Sequence, residues 1–93
     1  MVELRHFRAV VAIAEEGNLT RAAERLGIQQ PPLTRMLRSC EEAMGVQLFE
    51  RHAKGMRLTA AGRSMLKGAY DILDRVDETV EDVRRVVRGE SGE

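Results

Sequence analysis

Apolar residues recur at helical spacing over the first 44 positions of the chain, in three segments separated by glycines. The first helix is predicted over residues 3–16, because apolar side chains fall there three or four positions apart on one face. They are Leu4, Phe7, Val10, Val11 and Ala14. Gly17 ends this helix, and Asn18 is a favourable N-cap for a short second helix over residues 19–26.

The third helix is predicted to end near residue 44, and it begins with Pro31 and Pro32. Proline is tolerated in a first helical turn, where a missing N–H group loses no hydrogen bond. The apolar residues of this helix fall within about 60° of one another on a helical wheel. They are Leu33, Leu37, Cys40 and Met44. Pro31, Arg35 and Arg38 lie on the opposite side, which fits either a helix that reads a DNA groove or an ordinary solvated face.

The spacing then changes from helical to short extended pieces. Two such pieces flank a turn at Gly55, between residues 50 and 59, and predict a β-hairpin. Arg51, Lys54 and Arg57 give this small projection three positive charges. A basic hairpin of this size is typical of a wing that contacts phosphates or enters a minor groove.

A long helix is predicted over residues 60–88, with Thr59 as its cap. Its apolar residues alternate three and four positions apart over three heptads, the pattern of a paired helix. They are Leu66, Ala69, Leu73, Val76, Val80, Val83 and Val87. The chain's own core explains the first half of this seam, but residues 76–87 extend about 16 Å further at the helical rise. That second half is predicted to pair with another copy of the chain, and residues 89–93 are predicted to fray.

Composition narrows the class of protein. The chain has 93 residues and only three aromatic ones, which indicates one small domain with an aliphatic, mainly helical core. The formal net charge is zero, but residues 1–65 carry ten Lys and Arg against seven Asp and Glu. A basic N-terminal region therefore precedes an acidic C-terminal region. A single cysteine excludes an intramolecular disulfide and a multi-cysteine metal site, and no apolar run suggests a membrane span or a leader, so a reducing cytoplasm is expected.

No enzymatic function, cofactor or metal site is expected. His6 and His52 are the only histidines and fall on separate predicted elements. Cys40 lies on the apolar seam of the third helix, where a structural thiol is favoured over a reactive one. The glycines look like element boundaries rather than a phosphate-binding loop.

The second helix, the glycine turn and the third helix together predict a helix-turn-helix unit, whose second helix enters the major groove. Gln30, Thr34 and Arg35 lie at the N-terminal end of that helix, and Arg38 lies one turn further. Arginine can bind guanine, and glutamine adenine, through two parallel hydrogen bonds. Two other polar residues suit phosphates beside the N–H groups of the second helix's first turn, Asn18 and Thr20.

Two alternatives remain open at this point. A helical dimer that acts as a scaffold without touching DNA is favoured by the zero net charge and the acidic C-terminal region. The basic wing and the face formed by Arg35 and Arg38 oppose it, because a scaffold does not require them. A regulator of another winged-helix family would have the same fold.

Several motifs, in the same order, resemble LysR-type transcriptional regulators. Residues 4–18 resemble the opening helix of that family, residues 19–26 its second helix, and residues 30–35 the start of its recognition helix. Residues 48–51 and 58–62 resemble its wing and the entry to its linker helix. The resemblance covers nearly the whole chain and is closest to regulators of aromatic and chloroaromatic degradation.

The resemblance implies a bacterial regulator that binds an inverted-repeat promoter site as a homodimer, with antiparallel linker helices and tetramers in a full-length parent. It implies a winged helix-turn-helix DNA-binding domain at residues 1–59 and a dimerising linker helix with a frayed C-terminus at 60–93. Longer members add an effector-binding domain for a small-molecule inducer, which is absent from this sequence. The implied DNA contacts are Asn18, Thr20, Gln30, Pro31, Pro32, Thr34, Arg35, Arg51 and Lys54.

Two residues depart from the family pattern. Gln29 stands where a small residue, often serine, is usual, so the recognition helix is expected to be capped differently unless Gln29 itself contacts DNA. Met36 stands where a polar residue is common, and it is expected to pack between helices rather than contact DNA.

Overall fold

A computed structural model of the chain describes residues 1–89, and it has the predicted order of helices, hairpin and long helix. The mainly helical, winged helix-turn-helix fold is therefore confirmed. The elements are α1 Leu4–Glu16, α2 Leu19–Leu26, α3 Gln30–Met44, β1 Phe49–His52, β2 Gly55–Leu58 and α4 Ala60–Val87. The predicted frayed end lies, from residue 90 onward, outside the described residues.

The first helix is the centre of the body, because α2, α3 and α4 all pack against it. Its buried residues occupy more than one face, and Ala9, Ala12 and Ile13 join the predicted stripe. Leu4, predicted on that stripe, is instead 43% exposed, because it lies at the start of α1 where less of the chain covers it. A helix covered by three others buries a wider arc than the single stripe predicted for it.

The predicted caps of α2 and α4 are confirmed. The Asn18 side chain accepts a hydrogen bond from the Arg21 N–H at 2.9 Å, and the Thr59 hydroxyl accepts one from the Gly62 N–H at 3.0 Å. Each satisfies a donor that helix geometry leaves without a helical acceptor. Gln29 makes no side-chain cap at the start of α3, so this helix begins without the serine-type cap that is usual.

The third helix buries Leu33, Leu37 and Cys40 against the core, as predicted. The prediction that Met44 is buried on the same seam is wrong, because its side chain is 43% exposed. The last turn of α3 extends past the core beneath it, so a residue on the apolar side still faces solvent. Met36 is half-buried and packs against the core, as expected.

The hairpin pairs its strands from Phe49 opposite Leu58 to His52 opposite Gly55, one residue earlier than predicted. Leu48 precedes the hairpin and Phe49 begins it, and both side chains are buried in the core. The carboxylate of Glu41, on α3, accepts the Leu48 N–H at 2.7 Å and the Phe49 N–H at 3.4 Å. This contact ties the wing to α3.

The fourth helix starts in close contact with the chain that enters the hairpin. A Cβ at Gly62 would lie 2.0 Å from the Leu48 carbonyl oxygen, so only glycine allows this approach. Met65 and Ala69 are then buried in the body, after which the helix leaves it. The molecule is accordingly elongated, 52 Å along its longest axis. No helix within residues 1–89 combines the length and apolar character needed to cross a membrane.

Candidate nucleic-acid interface

The wing is held against the turn between α1 and α2. The Met56 N–H donates a hydrogen bond to the Gly17 carbonyl oxygen at 2.9 Å. Gly55 makes this approach possible: its φ is 131°, and a Cβ there would lie 2.1 Å from the same oxygen. The N-terminus of α2 and the tip of the hairpin therefore form two walls of one cleft.

That cleft has a volume of about 320 Å³ and is called here the α2–wing cleft. It brings together five of the predicted DNA contacts, from three different elements. They are Asn18, Thr20, Gln30, Arg51 and Lys54. The side-chain oxygen of Asn18 is already used to cap α2. The cleft combines a helix N-terminus with two cationic side chains, a combination suited to a phosphate group.

A second cleft, of about 200 Å³, lies between α3 and the wing and is called the α3–wing cleft. Thr34, Arg38 and Arg51 line it, so Arg51 borders both clefts. The Thr34 hydroxyl oxygen is buried and has no hydrogen-bond partner among the described residues. A buried hydroxyl without a partner is costly, which favours a ligand that can satisfy it.

The remaining predicted contacts lie on the exposed side of α3 and on its flank away from the wing. Pro31 is exposed, and Pro32 and Arg35 line a third cleft of about 300 Å³ together with residues of α1. Arg35 and Arg38 are both exposed, as a residue that reads bases must be before DNA binds. The structure thus divides the predicted contacts between the two flanks of α3 rather than placing them in one pocket.

One of the three wing cations has an acidic partner within the hairpin. Arg57 pairs with Glu50 across the hairpin at 3.4 Å, because the strand register places these two residues opposite each other. Arg51 and Lys54 remain as the cations that border the α2–wing cleft. His52 lies beside them, with its Nδ1 accepting the Lys54 N–H at 3.3 Å.

Two features of the site were missed by sequence reasoning. Glu41 holds the start of the wing through its carboxylate, and nothing in the local pattern distinguishes it from a solvated acid. His6 is 2% exposed, although the sequence suggested no role for it. Burial and the positive charge of Arg5 lower the pKa of His6, so the neutral imidazole is favoured.

The two ends of the predicted dimer seam on α4 differ in how far the chain's own body covers them. Ala69, predicted to face a partner, is fully buried in the chain's own body and offers no surface to one. Leu66 is half-buried and packs against the same core. Val80, Val83 and Val87 are 42%, 59% and 81% exposed, and Val86, off the predicted seam, is 67% exposed.

The residues that sequence analysis considered for metal binding and thiol chemistry can now be placed. Residues 1–89 hold no group of three His, Cys, Asp or Glu side chains that could bind a metal ion. Cys40 is 1% exposed, and burial raises the pKa of its thiol, which disfavours the reactive thiolate.

Comparison with known proteins decides the family. Residues 4–63 match bacterial regulatory helix-turn-helix proteins of the lysR family. The chain belongs to the LysR family. The family predicted from the residues is therefore confirmed, and the matched region of this LysR-family chain runs from α1 to the first turn of α4.

Relatives and solved structures agree with that assignment. The chain is 46% identical over 92 residues to the transcriptional regulator TfdS of Cupriavidus pinatubonensis (strain JMP 134 / LMG 1197), a match of 99% of this chain and 31% of that protein. It is 45% identical over 92 residues to ClcR of Pseudomonas putida, again covering 99% of this chain and 31% of the relative. The LysR-family chain thus spans less than a third of the length of these regulators.

Among solved structures, the BenM DNA-binding domain in complex with catB site 1 DNA superposes with a TM-score of 0.91 and 38% identity, covering 98% of each chain. The CbnR DNA-binding domain in its DNA complex gives a TM-score of 0.85 and 38% identity, covering 92% of this chain and 99% of that one.

Proposed function

We propose that this chain is the sequence-specific DNA-binding domain of a bacterial LysR-type transcriptional regulator. In this proposal a homodimer binds an inverted-repeat promoter site, with α3 in the major groove and the wing at the minor groove or its phosphates. The bacterial chromosome lies in the cytoplasm, so the protein is placed there too. The proposal includes no enzymatic activity.

The observation that supports it most is the convergence of three elements on the α2–wing cleft. Polar and cationic side chains from the start of α2, the start of α3 and the wing line one open concavity beside an exposed α3. Phosphate contacts of this kind set the position of a protein on a duplex, and the side chains of the recognition helix then read the bases. The similarity to two domains solved with DNA supports the same assignment.

The proposed contacts form three groups. Asn18, Thr20, Arg51 and Lys54 hold phosphates at the α2–wing cleft. Gln30, Thr34, Arg35 and Arg38 lie along the face that enters the groove, with Pro31 and Pro32 packing against the bases or the backbone. The exposure of Arg35 and Arg38, and the division of the contacts between the two flanks of α3, fit a helix lying between two strands.

We further propose that two parts of the chain have different functions. Residues 1–59 form the winged helix-turn-helix domain that binds DNA, and the helix that follows pairs two copies. Because the relatives are about three times as long, the sensing of a small-molecule inducer and any assembly into tetramers belong, in this proposal, to sequence beyond this chain.

The test is a fluorescence-anisotropy titration of the chain against an inverted-repeat duplex and a scrambled duplex, each at two salt concentrations. The repeat is first selected from a random DNA pool. Tighter binding to the repeat that weakens steeply with salt is expected, because phosphate contacts release counterions. Failure of the selection, or binding that is independent of salt, would instead support the scaffold function.

A further inference from the structure

The recognition helix has a cleft on each side. The α3–wing cleft lies on one side, and on the other is the third cleft, called here the α1–α3 cleft, of about 300 Å³. The major groove is bordered by a phosphate backbone on each side, so a helix lying in it faces two strands. The wing supplies cations toward one strand. The α1–α3 cleft lies where the other strand would pass.

The walls of the α1–α3 cleft come from two helices. From α1 it is lined by Arg5 and His6, and from α3 by Pro32, Arg35, Met36 and Ser39. Two arginines therefore border one concavity, and Ser39, an exposed residue that also lines it, adds a hydroxyl as a further donor. Guanidinium groups bind phosphate oxygens through paired, charge-assisted hydrogen bonds.

Arg5 is free to change its partner. Its ion pair with Glu3 has an N–O distance of 3.1 Å, and the two side chains are 64% and 54% exposed. Ion pairs this exposed are weak, because water competes for both partners. A phosphate at the cleft can therefore replace the Glu3 carboxylate at little cost.

A second observation is the unsatisfied donor of His6. Its Nδ1 accepts the Glu3 N–H at 2.8 Å, which leaves the proton of the neutral imidazole on Nε2. That Nε2 is buried and has no hydrogen-bond partner among residues 1–89, although the side chain is only 2% exposed. Buried donors without acceptors are rare and costly, so an acceptor oxygen entering the cleft is favoured.

We propose that the α1–α3 cleft binds a backbone phosphate of the DNA strand that lies away from the wing. Arg5 is its principal ligand, and the Ser39 hydroxyl and the His6 Nε2–H are the other donors. Arg35 borders the cleft and keeps its proposed role in reading bases. This inference rests on the proposed DNA-binding function and extends its contacts to α1. The recognition helix is then held between two sets of phosphate contacts, one on each side.

The test is a salt titration of duplex binding by the variant Arg5→Gln. The variant loses one phosphate contact per subunit, and therefore two per homodimer on the repeat, so the slope of log K against log [salt] should become shallower by about 1.8. Affinity at low salt should fall roughly threefold to tenfold, by the same factor on the selected repeat and on a scrambled duplex, because a phosphate contact does not distinguish bases. The conservative variant Arg5→Lys should retain the slope.

The matched control is Arg8→Gln. Arg8 is an exposed arginine one turn further along α1, and it does not line the cleft. It should leave the slope unchanged. An equal change in both variants would overturn the proposal, because it would show a general charge effect on α1 rather than a contact at the cleft.

A second measurement locates the contact on the DNA. Single methylphosphonate substitutions, scanned along the duplex, remove one phosphate charge at a time. In each half-site, one position on the strand away from the wing should, when substituted, weaken binding by the wild-type chain and leave binding by Arg5→Gln unaffected. If wild type binds with a steep salt dependence but no such position exists, the cleft inference is wrong and the proposed function stands. If wild type itself shows no salt-dependent binding, the proposed function fails.

Discussion

In the first half of α4, Met65 is 6% exposed and Ala69 is fully buried, whereas in the second half Val80 and Val83 are 42% and 59% exposed. The same heptad spacing continues through both halves. Heptad spacing indicates that one face of a helix packs against another surface, but not whether that surface belongs to the same chain or to a second copy. The first half is covered by the chain's own body, and the second half still has an open apolar face.

The polar contacts of the two halves differ in the same way. In the first half, the Tyr70 hydroxyl donates to the Glu15 carboxylate on α1, which also pairs with Arg25 of α2 at 2.6 Å. In the second half, the ion pair of Arg75 with Glu78, at 3.5 Å, stays within α4, as does that of Arg85 with Asp82. The first half is joined to the body, and the second half projects from it.

The largest expected effect comes from a charge placed in the covered half. Ala69→Asp puts an unpaired carboxylate into a fully buried position, and we expect a loss of about 3 kcal/mol or more in the free energy of unfolding. Urea denaturation followed by circular dichroism measures it. The loss should be the same at low and high protein concentration, since the site lies within one chain. A stable, folded Ala69→Asp variant would show that the first half is not part of the body.

A substitution by aspartate in the second half of α4 should weaken dimerisation rather than the stability of the body. Val80→Asp is expected to leave the helical signal of the body unchanged while abolishing the dimer at concentrations where wild type is dimeric, because pairing would bury the new charge. Sedimentation velocity measures this. Val86→Asp, at an exposed valine off the predicted seam, is the matched control and should weaken the dimer less. An unchanged dimer in Val80→Asp would place the interface elsewhere.

A substitution on α3 should separate base recognition from dimerisation. Arg35→Ala is expected to lose roughly 1–3 kcal/mol of discrimination at one base pair in each half-site, with the dimer unaffected. Competition binding with single-base variants of the selected repeat measures the loss. Equal weakening on every sequence would mean that Arg35 contacts phosphate alone.

The smallest expected effect is at the contact joining the first half of α4 to α1. The Tyr70 hydroxyl, and after it Arg25, lower the pKa of Glu15 from its ordinary value of 4.5. A carboxylate whose pKa is lower in the folded state stabilises the fold above its unfolded pKa, and this stabilisation is lost as the pH falls through the folded pKa.

Tyr70→Phe should therefore reduce stability at pH 7 by less than about 1 kcal/mol, since the groups are exposed. The difference from wild type should shrink as the pH falls below 4.5. Thermal unfolding at a series of pH values measures it. A difference that stays constant down to low pH would assign the effect to packing of the ring rather than to Glu15.

Local features were predictable because their causes lie within a few residues. Asn18 and Thr59 cap the helices that follow them, and the predicted ends of α1, α2 and α3 lie within about one residue of the observed ones, since glycines stop each helix. The basic residues of the wing were also recognisable, although the pairing of Arg57 with Glu50 needed the strand register.

The sequence by itself determined the element order, the family and the residues suited to DNA, because periodicity, caps and motifs are all written in short segments. Only the tertiary structure decided which apolar faces the chain covers itself, as at Ala69 and Met44. It also decided which distant polar groups come near each other: Glu41 binds the start of the wing, and Arg5 and Arg35 line the same α1–α3 cleft. Such contacts depend on how helices cross, and helix crossing is set by packing over the whole body rather than by any local pattern.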